Sequence, residues 1–246
     1  MTPTEHLEAL GAEGRLLAAA VAAGAGTSPV PGLGDWTLDD VARHTGSVHE
    51  WICEVVAHGL PDWGYDDLMP RAPQDHSVLA AWYLERLSSL LELLASVPAD
   101  REVWTLFDTP PGIDFWKRRQ CFETLVHRYD AEGAAGRRTP VDAAVATDGV
   151  EEALQMVRHR TRFGSDREVR FAVRTTDTGS AWTLQVGGSL PREERTLVEG
   201  SDGDVELSGR AADLVVHLWN RPPEQPVALA GDASLWDVWR QHAVIR

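Results

Sequence analysis

The chain has 246 residues, 43% hydrophobic and 25% charged, which is the make-up of a soluble globular protein of one large domain or two small ones and excludes disordered and collagen-like classes. Its net charge of −15, from 38 acids against 23 bases, argues against nucleic acid and anionic membranes as partners. No apolar run approaches the roughly 18 residues of a membrane span, Met1–Leu10 has no basic region followed by an apolar core, and two cysteines, Cys53 and Cys121, are too few for a disulfide framework, so a reducing cytoplasm is the expected location.

In chain order, Thr2-Pro3-Thr4-Glu5 has the form of a capping box with proline at the first helical position, and an Ala/Leu-rich helix follows to about Gly24. Gly24–Gly34 reads as a loop. Thr37-Leu38-Asp39-Asp40 starts a second helix, with acids where the helix dipole favours them, running to about Gly59. Leu60–Gln74 is irregular and acidic and carries Trp63 and Tyr65. A third helix, about Asp75–Ser96, has Leu84, Leu87, Leu90, Leu91 and Leu94 at helical spacing, and a fourth runs from about Asp114 to Gly133. Four such helices predict a four-helix bundle.

The pattern changes near residue 150. A helix at about Asp148–Phe163 precedes two alternating stretches, Val169–Val173 and Trp182–Val186, and two shorter ones, Thr196–Val198 and Val205–Leu207. Arg210–Trp219 and Ser234–His242 are amphipathic helices. The expectation is a two-domain α+β protein: residues 1–147 form the bundle, and residues 148–246 form a small α+β domain with an antiparallel sheet.

The sharpest chemistry lies in the fourth helix. Phe115, Phe122, Leu125, Val126 and Tyr129 share one face, and Arg119, Glu123, His127 and Asp130 form a stripe along its edge. Glu123 and His127, four apart, stand over one another on successive turns. A carboxylate and an imidazole so placed can share a divalent metal in a bundle core; the same spacing also occurs as an ordinary solvated pair. The second helix offers His44 and His49, on opposite shoulders of its apolar face, and periodicity does not select between them. His49 and Cys53, also four apart, form a conceivable Cys–His dyad on the shoulder away from His44.

Gly34-Asp35-Trp36-Thr37-Leu38-Asp39-Asp40-Val41-Ala42-Arg43-His44 resembles the Trp-Thr…Val-x-x-His segment of the mycothiol-dependent maleylpyruvate isomerases, which belong to the DinB-like metal-binding bundles. Glu123-Thr124-Leu125-Val126-His127-Arg128-Tyr129-Asp130 is similar to their Glu-x-x-x-His-Arg-Trp-Asp motif, with Tyr129 in place of the usual Trp. Leu218-Trp219-Asn220-Arg221, followed by Gly231-Asp232, resembles the end of the family's C-terminal domain, of sterol-carrier-like architecture, although Asn220 stands where the family has Gly.

This resemblance implies a metal triad of His44, Glu123 and His127, with coordination positions left open for catalysis. Zn²⁺ suits such ligands best, and Ni, Fe and Mn are compatible. It further implies that Arg221 binds a substrate carboxylate, and Arg119 is the second candidate cation. Asp130, on the same helix edge as His127, is placed to orient that ring or a neighbouring group. Mycothiol, the low-molecular-weight thiol, would be activated by the metal for addition to an electrophile or unsaturated acid. The reaction would be cis/trans isomerisation, or thiol transfer or exchange in a related enzyme. The contrasting class is a non-catalytic module that binds metal or ligand.

Overall fold

The computed structural model describes residues 1–58, 71–106, 112–159 and 165–242. The chain divides into two compact units, Met1–Thr139 and Pro140–Arg246.

Among its described residues the first unit has four long helices: α1 (Pro3–Ala23), α2 (Leu38–His58), α3 (His76–Ser96) and α4 (Ile113–Ala134). Local chemistry sets their starts. Thr2 and Glu5 form the capping box of α1, the Thr2 amide donating to Glu5 Oε2 (2.6 Å) and the Glu5 amide to Thr2 Oγ1 (3.3 Å). Thr37 and Asp40 exchange the same pair of bonds ahead of α2, and Asp75 caps α3 through the Ser77 amide. α1 packs most extensively on α4, and α2 on α3. Gly14 permits the close approach of α1 to α3, since a Cβ there would stand 2.5 Å from Leu87 Cδ2. On α3 the buried stripe is Leu79, Tyr83, Leu87, Leu90 and Leu94, whereas Leu84 is exposed. Most of the expected irregular segment 60–74, with Trp63 and Tyr65, lies outside the described residues.

The second unit opens with α5 (Ala143–Arg158), capped by Asp142. The helix expected from Asp148 thus begins earlier, and its expected end at Phe163 lies outside the described residues. Five strands follow in one sheet of order β3-β2-β1-β4-β5: β1 (Glu168–Thr175), β2 (Ala181–Gly187), β3 (Thr196–Glu199), β4 (Val205–Gly209) and β5 (Ala228–Gly231). Its described residues also hold a one-turn 3₁₀ helix (Arg192–Glu194) and the α-helices α6 (Ala211–Leu218) and α7 (Ser234–His242).

The expected antiparallel sheet is corrected at one pairing. β1/β2, β2/β3 and β4/β5 are antiparallel, but β4 runs parallel to β1, with Val173 opposite Leu207. After β3 the chain crosses to the far side of β1, and alternation fixes which face a residue takes but not strand direction. The buried face carries Val169 and Phe171 of β1, Trp182, Leu184 and Val186 of β2, and Leu207 of β4. Trp239 of α7 packs edge-on against Phe171 at 5.2 Å. Among the described residues no helix is long and apolar enough to cross a membrane.

Candidate metal centre

α2 and α4 cross with their stripes facing. His44 comes from α2, and Glu123 and His127 from successive turns of α4. Glu123 Oε1 lies 3.4 Å from His44 Nε2 and 3.2 Å from His127 Nε2, and one ligand atom from each of the three residues falls within 4.8 Å of the others. Ligand bonds of about 2.0–2.1 Å place two donors on one tetrahedral ion roughly 3.4 Å apart. The spacing and the donor set, two imidazole nitrogens and a carboxylate oxygen, therefore fit a divalent cation.

Two further residues of the α4 stripe frame the triad. Arg119, 3% exposed, directs its guanidinium NH2 to Glu123 Oε2, the oxygen turned away from the imidazoles. Asp130 Oδ2 lies 3.0 Å from His127 Nδ1. Burial works to raise the Glu123 pKa, but the Arg119 charge and the hydrogen bonds of His127 and His44 outweigh it and hold the carboxyl well below its ordinary range. Burial likewise works against a charged His127, and hydrogen bonds to Asp130 and Glu123 outweigh it, so its pKa is raised.

His49, on the other shoulder of α2, is fully buried, with Nε2 3.0 Å from Thr124 Oγ1 and Nδ1 lacking a hydrogen-bond partner. Burial, reinforced by the charges of His127 and His44, lowers its pKa to about 3 despite the opposing pull of Glu123. The conceivable dyad with Cys53 does not form: His49 Nε2 faces Thr124, and burial pushes the Cys53 thiol up to about 12, opposite to the activation a nucleophile needs. Cys121 is buried.

Arg221 belongs to the second unit. It is 5% exposed, its NH1 donates to the Trp219 carbonyl (2.8 Å), and it lines a groove with His217, Asn220, Trp236 and Arg240. His217 and Trp236 stack there at 4.6 Å and 17°. Trp36, which packs on both triad histidines, stands in the Trp-Thr…Val-x-x-His segment of the resemblance, but the sequence assigns it no role; it lies in a loop, where side-chain periodicity is silent.

A bundle whose facing helices converge two imidazoles and a carboxylate, joined in one chain to a small α+β unit, defines a class of two-unit proteins with a candidate metal centre in the helical part. Residues 7–132 match the family model described as the mycothiol maleylpyruvate isomerase N-terminal domain, and the chain belongs to that family. Two crystal structures share its fold. One, of a mycothiol-dependent maleylpyruvate isomerase, superposes with a TM-score of 0.67 at 11% identity, covering 94% of this chain and 93% of that one. The other, a histidine-to-alanine mutant under the same enzyme name, gives 0.62 at 10% identity, covering 87% and 88%. No curated protein matches the sequence.

Proposed function

We propose that the protein is a metal-dependent enzyme of the maleylpyruvate cis/trans isomerase type, with mycothiol as its thiol co-substrate. The observation that carries this reading is the convergence of His44 Nε2, Glu123 Oε1 and His127 Nε2 on one point in a chain of this family. His44, Glu123 and His127 would hold the ion, with Zn²⁺ best suited to the donor set. When bound, that ion supplies the Lewis acidity that keeps a thiol in its nucleophilic thiolate form.

The chain's own groups prepare the centre. With its NH2 on Oε2, Arg119 leaves Oε1 turned to the imidazoles, so it is a positioning residue acting on the ligand carboxylate rather than a second substrate cation. Asp130 accepts the Nδ1 proton of His127 and so presents the Nε2 lone pair. The side chains of His44, Glu123 and His127 are 11%, 12% and 8% exposed, which limits the access of bulk water to the centre. In the reaction itself, the thiolate sulfur bonds to a carbon of a cis double bond conjugated to a carbonyl, and the π pair moves to the carbonyl oxygen. The bond, now single, turns; the pair returns, the C–S bond breaks, and thiolate and trans product separate. Arg221 is assigned to a substrate carboxylate, with which its planar guanidinium can pair through two parallel hydrogen bonds.

Elemental analysis of purified protein tests the centre. About one divalent metal per chain is expected, with most of it lost in His44→Ala, Glu123→Ala and His127→Ala and retained in His49→Ala. Full occupancy in the Glu123 and His127 variants would overturn the metal reading. Incubation of metal-loaded protein with mycothiol and a panel of electrophiles, read by mass spectrometry, tests the reaction. A shifted cis/trans ratio without an adduct is the expected result; a covalent adduct would make the protein a thiol transferase instead.

A further inference from the structure

The loop ahead of α2 delivers one large side chain onto the triad. Trp36 is held there by its backbone. Its carbonyl accepts from the Val30 amide (2.9 Å), its amide donates to the Leu33 carbonyl (3.3 Å), and Pro29 and Thr37 form an isolated bridge. Gly32 and Gly34 take φ of 82° and 61°, the left-handed conformation that glycine adopts without steric cost. The tight turn returns the chain to Thr37 and the start of α2 with the indole turned inward.

The indole meets both histidines of the triad. Its ring centroid is 5.0 Å from that of His44 at 65°, and 6.1 Å from that of His127 at 9°, while the two imidazoles stand 4.8 Å apart at 73°. One side chain from a third segment thus touches ligand residues on two different helices. Asp130 fixes the His127 ring through a hydrogen bond. Trp36 restrains the His127 and His44 rings together through packing, edge-on to one and parallel to the other, arrangements that aromatic pairs favour.

We infer that Trp36 is a positioning residue of the centre, setting the two imidazoles at the mutual angle that lets both Nε2 atoms converge with Glu123. The inference rests on the metal reading above, and its test separates the two. Wild type, Trp36→Phe and Trp36→Leu are titrated with Co²⁺ and followed by visible absorption. In the metal-free proteins, NOEs between the His44 and His127 ring protons report whether the rings still meet.

Trp36→Phe should bind cobalt within about threefold of wild type and keep the ring NOEs. Trp36→Leu should lose about tenfold or more in affinity, as outer partners of metal-bound histidines do when removed. It should also show an altered cobalt spectrum and lose the NOEs, with unchanged circular dichroism. Wild-type affinity, spectrum and NOEs in Trp36→Leu would overturn the assignment. If Trp36→Leu does not fold, Trp36→Met, which keeps bulk without a ring, carries the same comparison. If wild type takes up no cobalt, the metal reading fails alone, and the NOEs of the metal-free proteins still decide the role of Trp36.

Discussion

Two buried charge clusters sit on adjacent residues of α4 and face different neighbours. His127 turns toward α2 and meets His44 and Glu123. Arg128, fully buried, turns toward α1: its Nε donates to Glu13 Oε2 (2.6 Å), and its NH1 donates to Glu132 Oε2 (2.9 Å) and to the Thr139 carbonyl (2.8 Å). Thr139 closes the circle by donating to both Glu132 oxygens. In the Arg128 cluster, the guanidinium and the two Thr139 donors face the carboxylate oxygens of Glu13 and Glu132. In the triad, two imidazole nitrogens and a carboxylate oxygen converge on one point, a donor set that fits a divalent cation. Hydrogen bonds to Asp130 and Glu123 raise the His127 pKa against burial. Buried charge alone therefore does not separate the two clusters; the convergence of three possible ligand atoms on one point does.

The largest expected effect separates the clusters by stability. Arg128→Met leaves Glu13 and Glu132 buried without their cation, although burial has already raised the Glu13 pKa against the opposing pull of Arg128. Breaking a buried pair in this way costs about 3–5 kcal/mol. Urea unfolding should register that loss, while metal content per folded molecule stays at the wild-type level. His44→Ala should behave in the opposite sense, losing metal with little change in the stability of the metal-free protein. If both variants lost stability equally and metal equally, the distinction between a structural and a functional cluster would collapse.

The contrast also explains what the sequence made legible. The capping boxes, the four long helices and the Glu-x3-His pair all depend on spacings of three or four residues, which one turn of helix converts directly into contacts. Arg119 over Glu123 belongs to the same kind. The choice between His44 and His49 did not follow from periodicity, since both are buried on α2; the resemblance selected His44. The Glu13–Arg128 pair joins residues 115 apart, and no local pattern announces such a contact. Strand β5, Ala228–Gly231, is exposed along its whole length, so it shows no alternation to read. The parallel β1/β4 pairing follows from the chain's crossing, which side-chain pattern does not encode.

A second effect, about 3 kcal/mol, concerns a third buried guanidinium. Arg221 lines a groove with the stacked His217 and Trp236. If Arg221 serves a substrate carboxylate, Arg221→Ala should leave folding and metal content intact and lower turnover by about two orders of magnitude, the kinetic equivalent of losing one charge-assisted pair. Arg221→Lys should recover only part, because a point charge does not reproduce the guanidinium fork. Steady-state kinetics on the reaction found in the electrophile panel, with metal analysis of the same preparations, decides it. Unchanged kinetics would remove Arg221 from the reaction and leave it a structural group of the second unit.

The smallest effect brings the comparison down to two histidines on one interface. His127 has carboxylates against it and an elevated pKa; His49 meets Thr124 and the Tyr83 ring, and its pKa falls to about 3. Above the unfolded value of 6.5, His49 is neutral in both states and does not affect stability. As pH falls below 6.5, the unfolded chain takes up a proton that the folded chain refuses until about pH 3, so stability declines on acidification by up to about 1.4 kcal/mol per pH unit. Between pH 7 and pH 5 this amounts to about 2 kcal/mol. His49→Gln, which cannot titrate, should lose correspondingly less over that interval, whatever its stability at pH 7. The carboxylates that titrate lower down are common to both proteins, so the difference between their urea midpoints at the two pH values isolates the imidazole. Equal acid sensitivity in the two proteins would mean that His49 accepts its proton in the folded state, and that the α2–α4 interface admits charge on both shoulders rather than at the triad alone.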